Sequence, residues 1–278
     1  MLGKVGGMEQ TRKLQLLESL VGTLCAERNA EAPQARDADE LWTTFRALVN
    51  TRPPWPASKG FLAEQDELLQ GLIAETGIHG IDEAAPSSAD ARLRLWHGDI
   101  TTLAADAIVN AANSQMLGCW VPGHFCIDNA IHTYAGVQLR LACARIMEEQ
   151  GHEEPTGQAK ATGAYNLPSK HVIHTVGPIA NGNPTDLHRE QLASCYTSCL
   201  DLAASEGLRS IAFCCISTGV FGFPQKEAAE IAIRTVREWL NTSESEMTVV
   251  FNVFDEKDEW IYRSLLDLPG FPLPPQLQ

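Results

Sequence analysis

Between Gly118 and Asp128, two thiols and an imidazole fall within eight residues, spaced Cys119-x4-His124-x-Cys126. These are borderline-soft donors of the kind Zn2+ takes in tetrahedral geometry, and a turn at Pro122-Gly123 lets all three converge on one ion. The spacing is not that of a zinc finger, and no fourth ligand follows locally. A site of three protein ligands keeps one position open for water or substrate, which is the catalytic arrangement. The competing reading is three unrelated residues of a rigid loop. Two residues beyond Cys126, Asp128 stands where a helix begins. The helix dipole there favours an ionised carboxylate suited to a general base, but the same place suits an N-cap with no catalytic duty.

Two more segments carry possible chemistry. In Gly98-Asp99-Ile100-Thr101, the carboxylate can accept from an exocyclic amine while neighbouring backbone groups meet a ring nitrogen, or it can simply cap a turn. In Ser217-Thr218-Gly219-Val220-Phe221-Gly222-Phe223, glycines let backbone N–H groups turn towards one anion, and the helix opened by Pro224 adds its partial positive charge. This reads as a phosphate cradle or a mere tight turn, because the lysine and spacing of a P-loop are absent. Cys195, Cys199, Cys214 and Cys215 sit amid apolar residues and read as core. His171 and His174 lie three apart on a strand, face opposite ways and cannot share a metal. Cys25 and Cys143 give no signal.

These segments need elements to position them. Apolar runs rich in Val and Ile predict strands at Leu93 to His97, Ala107 to Ala111, His171 to Val176, Ser210 to Ile216 and Thr248 to Phe254. Helical periodicity predicts helices over Asp128 to Glu149, Leu187 to Ser205, Gln225 to Leu240 and Glu256 to Leu266. Such alternation argues for an α/β layered sheet with helices on both faces, in which ligands sit beyond the carboxyl ends of strands. One of those strands delivers Asn110 and Asn113 to its end. The first 90 residues read as helices around Leu17 to Leu24, Leu41 to Leu48 and Leu68 to Ile73. A proline-rich stretch, Thr51 to Pro56, separates the second from the third, and a boundary falls at Asp82 to Asp90.

The 278 residues are 44% hydrophobic and hold 21 basic against 35 acidic side chains, a net charge of -14. The apolar fraction excludes a disordered or fibrous chain, and the acidic balance argues against general nucleic-acid binding. No run of about 18 apolar residues is present, so no membrane span is expected. Without a signal-peptide pattern at Met1 to Met8, a cytoplasmic, soluble protein is expected, its eight cysteines held as thiols.

Five ordered motifs together resemble the macrodomain family, the module that binds ADP-ribose. They are Gly98-Asp-Ile-Thr101, Ile108-Val-Asn-Ala-Ala-Asn-Ser114, Ile127-Asp-Asn-Ala-Ile-His132, the stretch Leu167 to Pro178, and Ile216-Ser-Thr-Gly-Val-Phe-Gly-Phe-Pro224. The resemblance spans roughly Leu93 to Leu266. The run of glycines that most macrodomains carry before the Asp-x-Ala-Ile-His segment is replaced here by the Cys, His, Cys loop. In this and in its N-terminal extension the chain is similar to the zinc-dependent microbial macrodomains, which remove ADP-ribose from proteins and are often encoded near a sirtuin-type ADP-ribosyltransferase.

The resemblance implies a three-layer α/β/α macrodomain with a mixed central sheet over residues 91–270. An all-helical extension, 1–90, would precede it, and a tail, 271–278, would follow. It implies that Asp99 and Ile100 hold adenine and that Ser217, Thr218, Gly219, Val220, Phe221 and Gly222 wrap the pyrophosphate. Phe223 would lie near the distal ribose and Asn113 would orient that ribose. Asp128 would stand beside the reacting carbon, with Zn2+ on Cys119, His124 and Cys126. The expected activity is hydrolysis of the bond from ribose C1'' to a protein side chain, an acidic one, in an ADP-ribosylated partner. The alternatives are a noncatalytic ADP-ribose reader whose zinc only shapes the loop, and a structural zinc module in another nucleotide-binding protein.

Overall fold

A computed structural model of the chain describes residues 8–34 and 37–268; the expected tail, 271–278, lies outside the described residues. Three helices come first, α1 (Gln10–Ala26), α2 (Ala38–Asn50) and α3 (Lys59–Thr76). The Asp37 carboxylate caps α2 by accepting from the N–H groups of Asp39 and Glu40, and the Ser58 hydroxyl caps α3 by accepting from Phe61. The proline-rich connection between α2 and α3 is irregular. The apolar faces of the three helices close on Leu17, Leu20, Leu24, Phe45, Leu68 and Leu69, and this cluster takes in Val137 and Tyr134 from the rest of the chain.

The remaining chain alternates strand and helix. It runs β1 (His79–Gly80), β2 (Ala85–Pro86), β3 (Leu93–His97), β4 (Leu103–Ala104), β5 (Ala107–Ala112), α4 (Ile127–Ala135), α5 (Val137–Gln150), β6 (Ala159–Gly163), β7 (His171–Val176), α6 (Asp186–Ser205), β8 (Ser210–Phe213), α7 (Gln225–Thr242), β9 (Thr248–Val253) and α8 (Glu256–Leu265). Seven strands form one mixed sheet in the order β2-β3-β9-β8-β5-β7-β6. The inner five are parallel and β2 and β6 pair antiparallel at the edges. Helices on both sides explain why apolar residues of the inner strands such as Ile108, Val109, Val249 and Val250 are fully buried. Helices α6, α7 and α8 pack side by side in one layer, while α4 lies against β5 on the other with α5 beside it. This is the three-layer α/β/α architecture that the resemblance implies, with a helical region ahead of it.

Three local features depart from the sequence reading. The helix expected over Asp128 to Glu149 is two helices, broken at Gly136 with φ +97. Gln65 of α3 fills the break, its Oε1 accepting from the Val137 N–H at 2.9 Å. The strand expected to reach Ile216 ends at Phe213, because the chain turns there into the glycine loop. Edge strand β6, and the two-residue strands β1, β2 and β4, were not anticipated; β1 and β2 precede residue 91. Among the described residues no helix is long and apolar enough to cross a membrane.

Candidate active site

Because the inner strands are parallel, their carboxyl ends share one rim, where β3, β5, β7 and β8 release the segments of interest. From β5 the fully buried Asn110 side chain donates to Asp128 Oδ1 at 2.8 Å, and just beyond β5 Asn113 reaches Asp128 Oδ2 at 3.4 Å. Asn113 is itself fixed, donating to the Gly118 carbonyl and accepting from the Gln115 N–H. Two amides thus hold one carboxylate from both sides. Burial pushes the Asp128 carboxyl up to about 6, while the Asn110 hydrogen bond and the Arg140 guanidinium hold it down. The ionised form that the helix start favours is opposed here by burial, which pushes the carboxyl up. The N-cap reading is corrected. The capping residue of α4 is Cys126, whose Sγ accepts from the Asn129 N–H at 3.4 Å, and Asp128 lies inside the first turn.

Cys119, His124 and Cys126 converge. Their ligand atoms lie within 4.8 Å of one another, Cys119 Sγ stands 3.5 Å from His124 Nδ1, and all three side chains are half-buried. Burial, and to a lesser degree the neighbouring Cys119 and Asp128, push the Cys126 thiol up to about 12, with the Asn129 N–H opposing. A thiol so placed needs a cation to become a thiolate. The donor set fits Zn2+, and no fourth Cys, His or acidic side chain joins the cluster among the described residues.

The segments Gly98 to Thr101 and Ser217 to Phe223 occupy the same rim. Asp99 caps the turn. Its Oδ1 accepts from the N–H and hydroxyl of Thr101 at 2.9 and 2.7 Å, leaving Oδ2 to meet a ligand amine. Ile100 is 1% exposed, and its side chain belongs to the core. In the glycine loop, Phe223 N–H closes onto Ser217 O at 2.9 Å and Gly222 N–H onto Gly219 O at 2.9 Å. Between them the N–H groups of Gly219, Val220 and Phe221 have no acceptor among the described residues. Three unspent donors on one turn are what an anion nest requires.

Ser217 holds φ +66, a left-handed conformation costing a non-glycine residue about 1–2 kcal/mol. Its buried Oγ lacks a partner and packs where a Cβ on Gly177 would stand. Thr218 turns inward, its hydroxyl bonded to Cys215 O at 3.0 Å. The Phe223 ring is 2% exposed and belongs to the core, so a ring contact with the distal ribose is not what this structure places there.

Other residues around the carboxylate gave little sequence signal. His132, one turn beyond Asp128 on α4, brings Nε2 to 3.6 Å of Asp128 Oδ1, and both its ring nitrogens are buried without a hydrogen bond. It shares a buried cluster with Cys143 and His174. His174 is already engaged there, its Nδ1 against the Asn110 amide at 3.1 Å and its Nε2 against Thr162 Oγ1 at 3.0 Å. A metal on His174 would have to break that pairing, so hydrogen bonding and packing account for this cluster. Arg140 of α5 donates from Nε to the Leu117 carbonyl at 2.6 Å and lies over the Trp120 ring at 4.3 Å. Motif position could have flagged His132. Arg140 carried no such cue.

Comparison with known proteins agrees with this geometry. The family described as Macro domain matches residues 109–232. A relative from Treponema medium named protein-ADP-ribose hydrolase is 54% identical over 260 residues, covering 93% of this chain and 99% of the relative. One of the same name from Staphylococcus aureus strain MRSA252 is 49% identical over 250 residues, covering 89% and 93%. Among solved structures, an Oceanobacillus iheyensis macrodomain with ADP is 43% identical with a TM-score of 0.57, over 63% of this chain and 90% of that one. The matching family model, and relatives of 54% and 49% identity matched along nearly their full length, lead to one assignment: the chain belongs to the macrodomain family.

Proposed function

We propose that the protein is a zinc-dependent hydrolase that removes ADP-ribose from modified acidic side chains of a partner protein. The observation that carries the reading is the juxtaposition of a clamped, buried carboxylate, Asp128, with a three-donor Cys119, His124, Cys126 cluster two residues away. The names of the relatives from Treponema medium and Staphylococcus aureus support the hydrolase, and their similarity extends across the metal loop and the helical region alike.

In this reading Asp99 Oδ2 accepts from the adenine amine, and the free N–H groups of Gly219, Val220 and Phe221 hold the diphosphate, so that the distal ribose falls beside Asn113. Asn113 orients a ribose hydroxyl. Asp128, ionised above a pH of about 6, takes a proton from a water as the new bond from water oxygen to C1'' forms and the bond to the side-chain oxygen breaks. The partner's carboxylate leaves. Zn2+ on Cys119, His124 and Cys126 would supply Lewis acidity towards a ribose oxygen or a water when bound.

The reading carries with it a functional pairing with a sirtuin-type ADP-ribosyltransferase and a cytoplasmic place of action. Its test is the metal content of the purified protein, followed alongside release of ADP-ribose from a protein modified on acidic side chains. Release that requires bound zinc and fails in Cys119→Ala supports it. Undiminished turnover in that variant, at preserved fold, overturns the catalytic metal. Tight ADP-ribose binding without any release would instead identify a reader.

A further inference from the structure

The metal loop does not hold itself. Its turn at Gly123, φ +65, is fastened by a side chain from the helical region: Asn50, the last residue of α2 and 1% exposed, accepts from the Gly123 N–H at 3.0 Å. The other end of the same amide donates to Thr133 Oγ1 of α4 at 3.0 Å, which fixes which way Asn50 points. One turn earlier on α2, Arg46 reaches the His124 carbonyl at 3.4 Å and Asn129 Oδ1 at 3.2 Å, and its guanidinium lies 5.0 Å from the centre of the Phe125 ring. Asn129 in turn donates to the Val121 carbonyl at 3.2 Å. From below, Arg140 ties the carbonyl of Leu117 to those of Val49 and Arg52 at the end of α2. Arg52 is itself paired with Glu27 just past α1 through two contacts of 2.8 Å. Gly123, His124 and Val121 are thus all held, directly or through one residue, from α2.

We infer that the end of α2 is a splint for the metal loop, with Asn50 and Arg46 as positioning residues that set the geometry and affinity of the Cys119, His124, Cys126 site. The inference rests on the proposed metal site. A loop of eight residues with two thiols and a left-handed glycine has many conformations in which its three donors diverge. Each bond from α2 removes some of these before the metal arrives, so the free energy of binding is not spent on ordering the loop. Partners that orient ligating residues are worth roughly 10- to 100-fold in metal affinity in other proteins.

The test uses the full chain. Zinc affinity is measured by competition with a chromophoric chelator, and the visible bands of the cobalt-substituted protein report ligand geometry. Asn50→Ala should weaken zinc binding by at least about tenfold and shift the cobalt bands. Arg46→Gln should act in the same direction and serves if Asn50→Ala does not fold. Leu17→Ala, which loosens the helical core without removing a hydrogen bond to the loop, should lower the melting temperature and affect zinc affinity and the cobalt spectrum less than Asn50→Ala does. Retention of the unaltered protein's affinity and spectrum by both Asn50→Ala and Arg46→Gln overturns the splint. Should the unaltered protein bind no zinc, the metal reading fails. Hydrogen exchange at the Gly123 amide then decides the splint alone: protection lost in Asn50→Ala upholds it, and unchanged exchange overturns it.

Discussion

Asn110, buried at the end of β5, donates its side-chain amide to the carboxylate of Asp128 at 2.8 Å, joining the sheet to the first turn of α4. The contact fixes which oxygen of Asp128 faces inward and leaves Oδ2 towards Asn113 and the open rim.

Asp128→Asn should therefore separate chemistry from stability. A group serving as general base contributes about 10²–10⁴ in rate, so turnover should fall by that order. The folded-state pKa of about 6 lies above the ordinary carboxylate value, so the ionised group destabilises the fold above pH 6 and has no such effect below pH 4. In chelator-treated protein the variant should melt higher than the parent at pH 7.5 and no higher at pH 4. A variant that loses stability at pH 7.5 and keeps its rate would return Asp128 to a purely structural role.

Chelation and Cys119→Ala address the loop. If the site is catalytic, both should abolish release of ADP-ribose while calorimetry still detects ADP-ribose binding through Asp99 and the Ser217 to Phe223 loop. Loss of binding and hydrolysis together would mean that the metal shapes the nucleotide site instead.

Gly222→Ala probes the nest. Gly222 holds φ +65, and a Cβ there would lie 3.2 Å from Asn181 Cα and Gly182 N, both backbone atoms with little room to yield. The substitution should destabilise the fold by about 1–2 kcal/mol and weaken ADP-ribose binding measurably. Unchanged affinity would place the diphosphate elsewhere.

Acid should act through two buried imidazoles. Burial lowers His174 to about 3 and His132 well below its ordinary value, the latter also under the influence of His174 and Arg140. Both stay uncharged in the fold and gain protons only on unfolding. Stability is therefore full above pH 6.5 and is lost as pH falls from there towards 3. His174 alone accounts for at most about 5 kcal/mol across that window. Urea melts from pH 7 to pH 4 should show a shallower decline in His174→Gln than in the parent, and parallel curves would refute the assignment.

How much of this was legible in the sequence follows from where the information sits. The inner strands and the three outer-layer helices announce themselves because apolar side chains recur along them. Strand β6, Ala159–Gly163, offers Lys160 and Thr162 among small residues and gives no such pattern. The donor set Cys119, His124 and Cys126 is local and was readable, whereas its supports are not, since Asn50 and Gly123 are 73 residues apart. Capping preference pointed to Asp128 and passed over Cys126, because a thiol seldom caps a helix. Ile100 and Phe223 carry family positions, but only packing reveals that both residues are buried in the core.

The placement of α2 has a consequence in time. Synthesis delivers α1, α2 and α3 before Cys119 exists, and their apolar cluster closes on itself apart from Val137 and Tyr134. Cys119 and Cys126 thus emerge after the end of α2 that holds their loop, while Thr133, which orients Asn50, emerges later still. A nascent chain arrested between α3 and Cys119 should already resist protease across the three helices.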